Sequence, residues 1–227
     1  MLVLVLDSAT PAITAAVVSV GPEPDITVLA ERVTVDARAH GELLAPQIAA
    51  VLADVGKAPA DLGAVVAGVG PGPFTGLRVG LVTAAALADT LGIPTYGVCS
   101  LDGLGALTVA GGGTVLVATD ARRREVYWAI YRDGVRTAGP HVDRPADVVA
   151  VSGQPRDTVD FAVGAGAVLY ADVIGVPVRD EPLFPSAGAL ATLAAARILG
   201  EAPSEPLTPL YLRRPDAVEP GARKVVS

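Results

Sequence analysis

The chain has 227 residues and a formal net charge of −7, with an isoelectric point near 4.8. This acidity argues against strong binding to nucleic acid or anionic membranes by the chain alone, because such binding needs clustered lysine and arginine. A single cysteine, Cys99, excludes an internal disulfide and fits a reducing compartment. The apolar residues 1–6 are too short for a signal sequence, and no apolar run approaches membrane-spanning length. We therefore expect a cytoplasmic protein that does not contact a membrane.

The first half opens with three strands that short turns join, and strands and helices alternate after them. Short apolar or β-branched runs between turn residues predict the strands, and apolar residues at helical spacing predict the helices. Ser100 can cap the last helix, since its hydroxyl can accept from a free N–H. The predicted strands are 2–6, 13–20, 26–35, 64–69 and 95–98, and the predicted helices are 41–55, 77–91 and one after Ser100.

The second half restarts with strands after the glycines at 111–113, which predict a joint. Residues 125–132 alternate, so that one face carries Val126, Trp128 and Ile130, and Asp133-Gly134 predicts a hairpin turn. We predict two related lobes, residues 1–110 and a smaller, degenerate lobe 111–227 whose tail can return to the first. Each lobe is a mixed sheet flanked by helices, which is an actin-like α/β plan. The further predicted elements are strands at 114–119, 125–132 and 158–163 and a helix at 187–199.

Residues 68–80 are the densest motif, with glycine and proline between a buried strand and a helix. The free N–H groups of a helix start can bind an anion. However, no lysine follows the glycines, and the spacing of Gly70, Gly72 and Gly76 differs from that of a dinucleotide fingerprint. The spacing alone favours a tight turn that needs glycine for steric reasons.

Small residues at a spacing of four form stripes on two predicted helices. Such stripes let helices approach closely, and the first helix already has an apolar face for the sheet in Leu44, Ile48 and Val51. We therefore predict a helical subunit interface, and packing of both stripes inside the monomer is the alternative. The stripe residues are Ala45, Ala49 and Ala53 on the first helix and Gly76, Gly80, Ala84 and Ala88 on the second.

Metal and nucleophile chemistry have little support. The two histidines, His40 and His141, are far apart in the sequence, and no HxxxH, HExxH, CxxC or GxSxG pattern occurs. His40 fits a polar residue at the end of an element, and Cys99 fits a small hydrophobe in a core. We expect no metal, no cofactor and no catalytic residue.

Two turns carry acidic residues at matching places in the two lobes. Asp7, with Ser8 and Thr10, follows the first strand, and Asp120 follows the first strand of the second lobe. Across an actin-like cleft these residues could be a vestigial nucleotide site, although the first turn lacks a glycine for close phosphate approach. The alternative is that each carboxylate caps its own turn. The arginines at 122–124 could touch RNA or an acidic partner, but a solvated loop is the commoner explanation.

Together these residues resemble the bacterial TsaB (YeaZ) family. The resemblance spans nearly the whole chain. Its glycine-proline-phenylalanine-threonine stretch is quite specific. The matching stretches are Leu-Val-Leu-Asp-Ser-Ala-Thr at 4–10, His-Gly-Glu-Leu-Leu-Ala-Pro at 40–46, residues 70–80, Asp-Ala-Arg-Arg-Arg-Glu-Val-Tyr-Trp at 120–128 and Pro-Leu-Tyr-Leu-Arg at 209–213.

The resemblance implies an actin-like (ASKHA, ribonuclease H-like) fold and a part in making threonylcarbamoyladenosine beside the anticodon of tRNA. Members of the family are non-catalytic scaffold subunits, and the related TsaD subunit carries the metal histidines and performs the transfer. The resemblance thus implies a TsaD-like partner, help in recruiting a TsaE-like ATPase, homodimers when alone, and contact with tRNA only through the complex.

Two other functions stay open from the sequence. One is a nucleotide-dependent enzyme of the sugar-kinase type on the same fold, which tight ATP binding by the isolated chain would favour. The other is a self-standing homodimeric binding protein, which failure to engage a TsaD-like subunit would favour.

Overall fold

The computed structural model describes residues 1–22, 25–107, 112–151, 153 and 158–213. The strands are β1 (Leu2–Asp7), β2 (Ala12–Val20), β3 (Ile26–Val35), β4 (Ala64–Gly68), β5 (Thr95–Val98), β6 (Thr114–Asp120), β7 (Val126–Arg132), β8 (Val135–Asp143) and β9 (Phe161–Val163). The helices are α1 (His40–Asp54), α2 (Phe74–Leu91), α3 (Ser100–Gly105), α4 (Val148–Val151), α5 (Ala165–Leu169), α6 (Ala171–Ile174) and α7 (Ala187–Leu199).

Two mixed sheets share one topology. The first sheet has the order β3-β2-β1-β4-β5, with β1 antiparallel to β2 and parallel to β4. The second has the order β8-β7-β6-β9, with β6 antiparallel to β7 and parallel to β9. Each sheet thus repeats a hairpin followed by a parallel strand, as expected for two related lobes. The predicted division at 110/111 lies outside the described residues and stays a prediction.

Helices cover both faces of the first sheet. One face packs against α1 and α2, where Leu44, Ile48 and Val51 of α1 are buried against the strands, as the helical spacing predicts. The other face packs against α7, which buries Leu190 and Ala194 there although it follows the second sheet in sequence. In the second sheet, Trp128 of β7 faces one core and Tyr131 faces the other, which confirms the predicted alternation.

A segment that follows α7, which we call the strap (residues 203–213), runs back over both lobes. It pairs with β5 through Glu205 N, which donates to Thr95 O at 2.9 Å. Leu210 N donates to Val69 O at 2.8 Å. The guanidinium of Arg213 donates to Ala121 O at 2.9 Å and forms an ion pair with Glu125 in the second lobe. The strap therefore links the edge of the first sheet to the β6–β7 turn.

Helix α2 corrects two predictions. It begins at Phe74, three residues before the predicted start, because the extended Pro73 serves as its N-cap. It is also 18 residues long with a mean hydropathy of 1.3, so by length and composition it could cross a membrane, contrary to the sequence-based expectation. Arg78 and Asp89 interrupt its apolar run, and its buried face packs against β1 and β4.

Candidate functional site

A cleft of about 1020 Å³ lies between the two lobes. The first lobe lines it with the β1–β2 turn and with the N-terminal ends of α1 and α2, and the second lobe lines it with the β6–β7 turn and Tyr170. Ser8, Thr10 and Asp120 therefore lie around one cleft. Asp7 is not among the lining residues.

The Asp7 carboxylate is buried and points away from the cleft. Its Oδ2 accepts from Ser100 Oγ at 2.6 Å, and its Oδ1 accepts from Ala9 N at 2.9 Å. Burial raises the pKa of Asp7, and the hydrogen bond from Ser100 opposes that shift. Ser100 is therefore the first residue of α3 and a partner of Asp7, not the predicted cap, and Cys99 occupies the N-cap position without a side-chain bond.

The Asp7 geometry corrects part of the predicted nucleotide cleft. A carboxylate that a serine and its own turn hold in the core cannot also reach a ligand in the cleft. Asp7 instead caps its own turn, which is the alternative to a nucleotide site. Thr10 does the same, because its hydroxyl accepts from Ala12 N at 3.2 Å. Asp120 likewise accepts from Arg122 N at 2.9 Å, but it is half-buried and faces the cleft.

The glycine-rich motif packs tightly around the β1–β2 turn. A Cβ on Gly68 would overlap the Asp7 carboxylate, and one on Gly72 would overlap Ala9 O. A Cβ on Gly76 would lie 3.1 Å from Ser8 O, and one on Gly80 would overlap Ser8 Oγ. The motif therefore needs glycine for close packing inside the chain, which confirms the steric interpretation of its sequence.

Ser8 fixes this packing through its hydroxyl, which is buried. Its Oγ donates to Gly76 O at 2.8 Å and accepts from Gly80 N at 3.0 Å, so one side chain joins the β1–β2 turn to α2. His40 adds a second link, because its Nε2 lies 2.9 Å from Thr10 O and its ring packs over Gly76. His40 is thus a polar residue at a helix end, as predicted.

The two small-residue stripes lie in opposite environments. On α2, the stripe Gly76, Gly80, Ala84 and Ala88 is buried inside the chain. The prediction that this stripe forms a subunit interface is wrong, because the β1–β2 turn and the first sheet already cover it. On α1, Ala45, Ala49 and Ala53 are exposed, and their predicted role at an interface stays a prediction.

The β6–β7 turn has an unusual backbone. Arg122, Arg123 and Arg124 have φ values of 60°, 51° and 62°. Side chains other than glycine rarely adopt this left-handed region, so a run of three is strained. The turn points the arginines outward, and Arg122 and Arg123 line the cleft beside Arg38. The sequence around these arginines has no glycine or asparagine that would signal this conformation.

Cys99 is buried in the core under the second sheet, together with Leu101 and Leu104. Burial raises the pKa of its thiol to about 11. At neutral pH the thiol is therefore protonated and packs as a small hydrophobe, as predicted.

Comparison with known proteins identifies the family. The family model described as TsaD, tRNA N6-adenosine threonylcarbamoyltransferase, matches residues 27–177. An uncharacterized protein of Mycobacterium tuberculosis is 53% identical over 95% of this chain and 93% of that protein. The TsaB protein of Bacillus subtilis, named for tRNA threonylcarbamoyladenosine biosynthesis, is 38% identical over 47% of this chain and 46% of its own length.

A solved structure of YeaZ from Pseudomonas aeruginosa superposes with a TM-score of 0.75. It is 29% identical and covers 93% of this chain and 99% of its own. This similarity, together with the two related sheets, confirms the predicted actin-like α/β fold. The chain belongs to the TsaB (YeaZ) family.

Proposed function

We propose that this chain is a non-catalytic scaffold subunit of the complex that installs threonylcarbamoyladenosine in tRNA, and that it supports a TsaD-like transferase. The observation that carries the proposal is membership of the TsaB family. The members from Bacillus subtilis and Escherichia coli are named for the biosynthesis of this modification. The matching family model is named for the transferase itself, so the two subunit types share a common origin.

The outer face of α1 and α2 supports the docking of a partner subunit. Both helices cover the same face of the first sheet and pack side by side, so their outer faces form one surface. On α1 this surface carries the exposed alanine stripe, and on α2 it carries Val82, which is 65% exposed, with Ala85 and Ala86. Only 28% of the apolar α2 is buried within the chain. An apolar surface that its own chain leaves open is typical of a protein interface.

The polar residues of the β1–β2 turn form hydrogen bonds within the chain, which supports a scaffold and not an enzyme. Ser8 joins the turn to α2, and Asp7 joins it to Ser100 of α3, so internal hydrogen bonds leave neither side chain free for chemistry on a substrate. In the ranges that the structure describes, no group of three histidine, cysteine, aspartate or glutamate side chains could hold a metal ion. We propose that the TsaD-like partner performs the transferase chemistry.

The remaining parts of the proposal follow from this assignment. The same outer face would pair two copies of the chain when the TsaD-like subunit is absent, so a homodimer is expected in isolation. A TsaE-like ATPase would join the assembled pair. The protein would act in the cytoplasm, where tRNA is modified, without contact with a membrane. An acidic chain would meet tRNA only within the complex.

Reconstitution tests the proposal. The chain, the TsaD-like and TsaE-like proteins of its organism and the enzyme that supplies threonylcarbamoyl-adenylate are incubated with tRNA, threonine, bicarbonate and ATP. Mass spectrometry of nucleosides should show the modified adenosine when all proteins are present, and none when this chain is left out or is used alone. Full product without the chain, or product from the chain alone, would disprove the scaffold role.

A further inference from the structure

The rim of the cleft combines exposed arginines with exposed aromatic rings. We propose that this rim, formed by Arg38, Phe74, Arg78, Arg122 and Tyr211, contacts an unpaired segment of RNA in the assembled complex. The inference rests on the proposed function, which supplies tRNA as the substrate, and it assigns a surface of this chain to that substrate. In the described residues, two sets of contacts carry it.

The first set is an aromatic stack at the start of α2. The rings of Phe74 and Tyr211 stack with centroids 5.1 Å apart and an interplanar angle of 27°. The guanidinium carbon of Arg78 lies 3.9 Å from the Phe74 centroid, and Arg78 Nε donates to Tyr211 Oη at 2.7 Å. Even so, Phe74 is 46% and Tyr211 39% exposed. The stack holds aromatic surface in a fixed orientation at the cleft, and unpaired bases stack on such surfaces.

The second set is the charge around the stack. Arg38 and Arg122 line the cleft that Phe74 also lines, and Arg78 lies beside it. Among the residues that the structure describes, Arg38, Arg78 and Arg122 form no ion pair with a carboxylate, whereas Arg213 is paired with Glu125. The carboxylates in the cleft lining are those of Glu42 and Asp120. The arginines therefore outnumber the acids here, in a chain whose net charge is −7.

Charge and stacking together favour RNA over an acidic protein. Guanidinium groups bind phosphate oxygens well, and they also stack on aromatic and base planes. An acidic protein would meet the same charge, but it carries no unpaired bases to stack on the exposed aromatic surface. The bases of an RNA duplex are stacked on each other, so the surface fits an unpaired loop. The acidic remainder of the chain would keep its own affinity for RNA weak and make this contact depend on the partner.

The test measures tRNA binding by the assembled pair of this chain and its TsaD-like partner, using fluorescence anisotropy over a series of salt concentrations. The first variant is Arg38→Ala/Arg122→Ala. Its matched control is Arg132→Ala/Arg179→Ala, which removes the same charge at the opposite end of β6. There, Arg132 of β7 lies opposite Thr114 of β6, and Arg179 follows Val178, which forms a bridge with Ala162 of β9. The rim variant should lose about tenfold or more in affinity, and its salt slope should fall by about 1.4, at about 0.7 for each phosphate contact.

A second variant, Tyr211→Leu, separates stacking from charge. It keeps apolar bulk in the strap but removes the ring, so binding should weaken by about fivefold or more, the lower end of a stacking contact. The salt slope should stay unchanged, because no ion is released at this contact. If the ring only anchors the strap, its loss would lower the melting temperature and leave the tRNA affinity unchanged.

Three outcomes would overturn the proposal. Equal losses in the rim variant and its control would show that only net charge matters. Loss of copurification with the partner would make the rim a protein interface. If the rim variant lost binding of labelled ATP while its tRNA affinity stayed unchanged, the rim would be a site for free nucleotide.

Failure of the proposed function would look different, because the wild-type chain would not pair with the TsaD-like subunit. The rim would then be judged on the whole chain alone, with the same variants and an unpaired oligoribonucleotide at low salt. A weakened rim variant would support the surface without the complex, and equal binding by all variants would reject it.

Discussion

Helices α1 and α2 carry the same pattern of small residues at every fourth position, and the fold uses the two patterns in opposite ways. The stripe on α2 is buried against the β1–β2 turn, with Gly80 against Ser8. The stripe on α1, centred on Ala49, is exposed on the outer surface. The spacing therefore predicts that another segment packs closely against the helix, but it does not predict whether that segment belongs to the same chain or to a partner.

The residues around each stripe explain the difference. On α1, Leu44, Ile48 and Val51 already occupy the face toward the sheet, which leaves the alanines outside. On α2, the glycines are part of a motif that begins in β4, and the whole motif surrounds one turn. Glycine within a helix costs stability relative to alanine, so a fold that keeps Gly76 and Gly80 there has a steric reason at those positions. The following substitutions test this contrast.

Gly80→Leu should have the largest effect. The new Cβ would overlap Ser8 Oγ, and overpacking of this kind costs about 1–3 kcal/mol. Breaking the buried hydrogen bonds of Ser8 adds about 1–3 kcal/mol. At about 2–4 °C for each kcal/mol in a chain of this size, the melting temperature should fall by roughly 10 °C. Thermal unfolding followed by circular dichroism measures this. A normal melting temperature with weaker partner binding would restore the interface interpretation.

A double-mutant cycle between Ser8 and Gly80 should show the next largest effect. Ser8→Ala removes the hydroxyl that joins the turn to α2 and should cost about 1–3 kcal/mol. Gly80→Ala should be costly in the wild type but cheaper in the Ser8→Ala background, because the atom that its Cβ overlaps is gone. Urea unfolding of the four proteins gives the coupling energy. Strictly additive effects would mean that the clash is relieved elsewhere in the structure.

The pH dependence of stability should show a smaller effect from Asp7. Burial raises the pKa of Asp7 above its ordinary value of 3.8, so the folded state holds this proton more tightly than the unfolded state. The resulting stabilisation is present below pH 3.8 and is lost as the pH rises through the folded pKa. Asp7→Asn cannot titrate there. The free energy of unfolding of the wild type, relative to the variant, should therefore fall with rising pH and then level off. A flat difference would contradict the shift.

Ala49→Leu should have the smallest effect on folding, and it is the matched partner of Gly80→Leu. An exposed alanine to leucine change in a helix alters stability by about 0.5 kcal/mol or less. Affinity for the TsaD-like subunit should nevertheless fall, because the added bulk stands between two closely packed helices. Sedimentation of the mixed subunits measures the affinity. Unchanged affinity would place the partner on another surface.

The sequence predicted those parts of the fold that depend on neighbouring residues. The apolar face of α1, the alternation in β7 and the strands of the first sheet all depend on spacing within one element. For the site, the sequence indicated Ser8, Thr10 and Asp120, which line the cleft. It did not reveal that Asp7 turns into the core, because its partner Ser100 lies 93 residues away.

Longer-range features escaped prediction for the same physical reason. The return of α7 to the first sheet leaves no mark within α7 itself, since an amphipathic helix fits any apolar face. The Arg78–Tyr211 contact joins residues 133 positions apart. The left-handed arginine turn has no glycine or asparagine to signal it. Packing between distant segments, and not local preference, sets each of these features.

The strap has a consequence for synthesis on the ribosome. The backbone of β5 at Thr95 is covered by Glu205, a residue translated 110 positions later. At about 5–20 residues each second, this edge of the nascent sheet waits roughly 5–20 s before its cover emerges. An open strand edge is a ready template for pairing with another chain. Nascent chains on neighbouring ribosomes would therefore be most prone to aggregate with each other at β5. A chaperone that shields this edge would help most before α7 and the strap are synthesised.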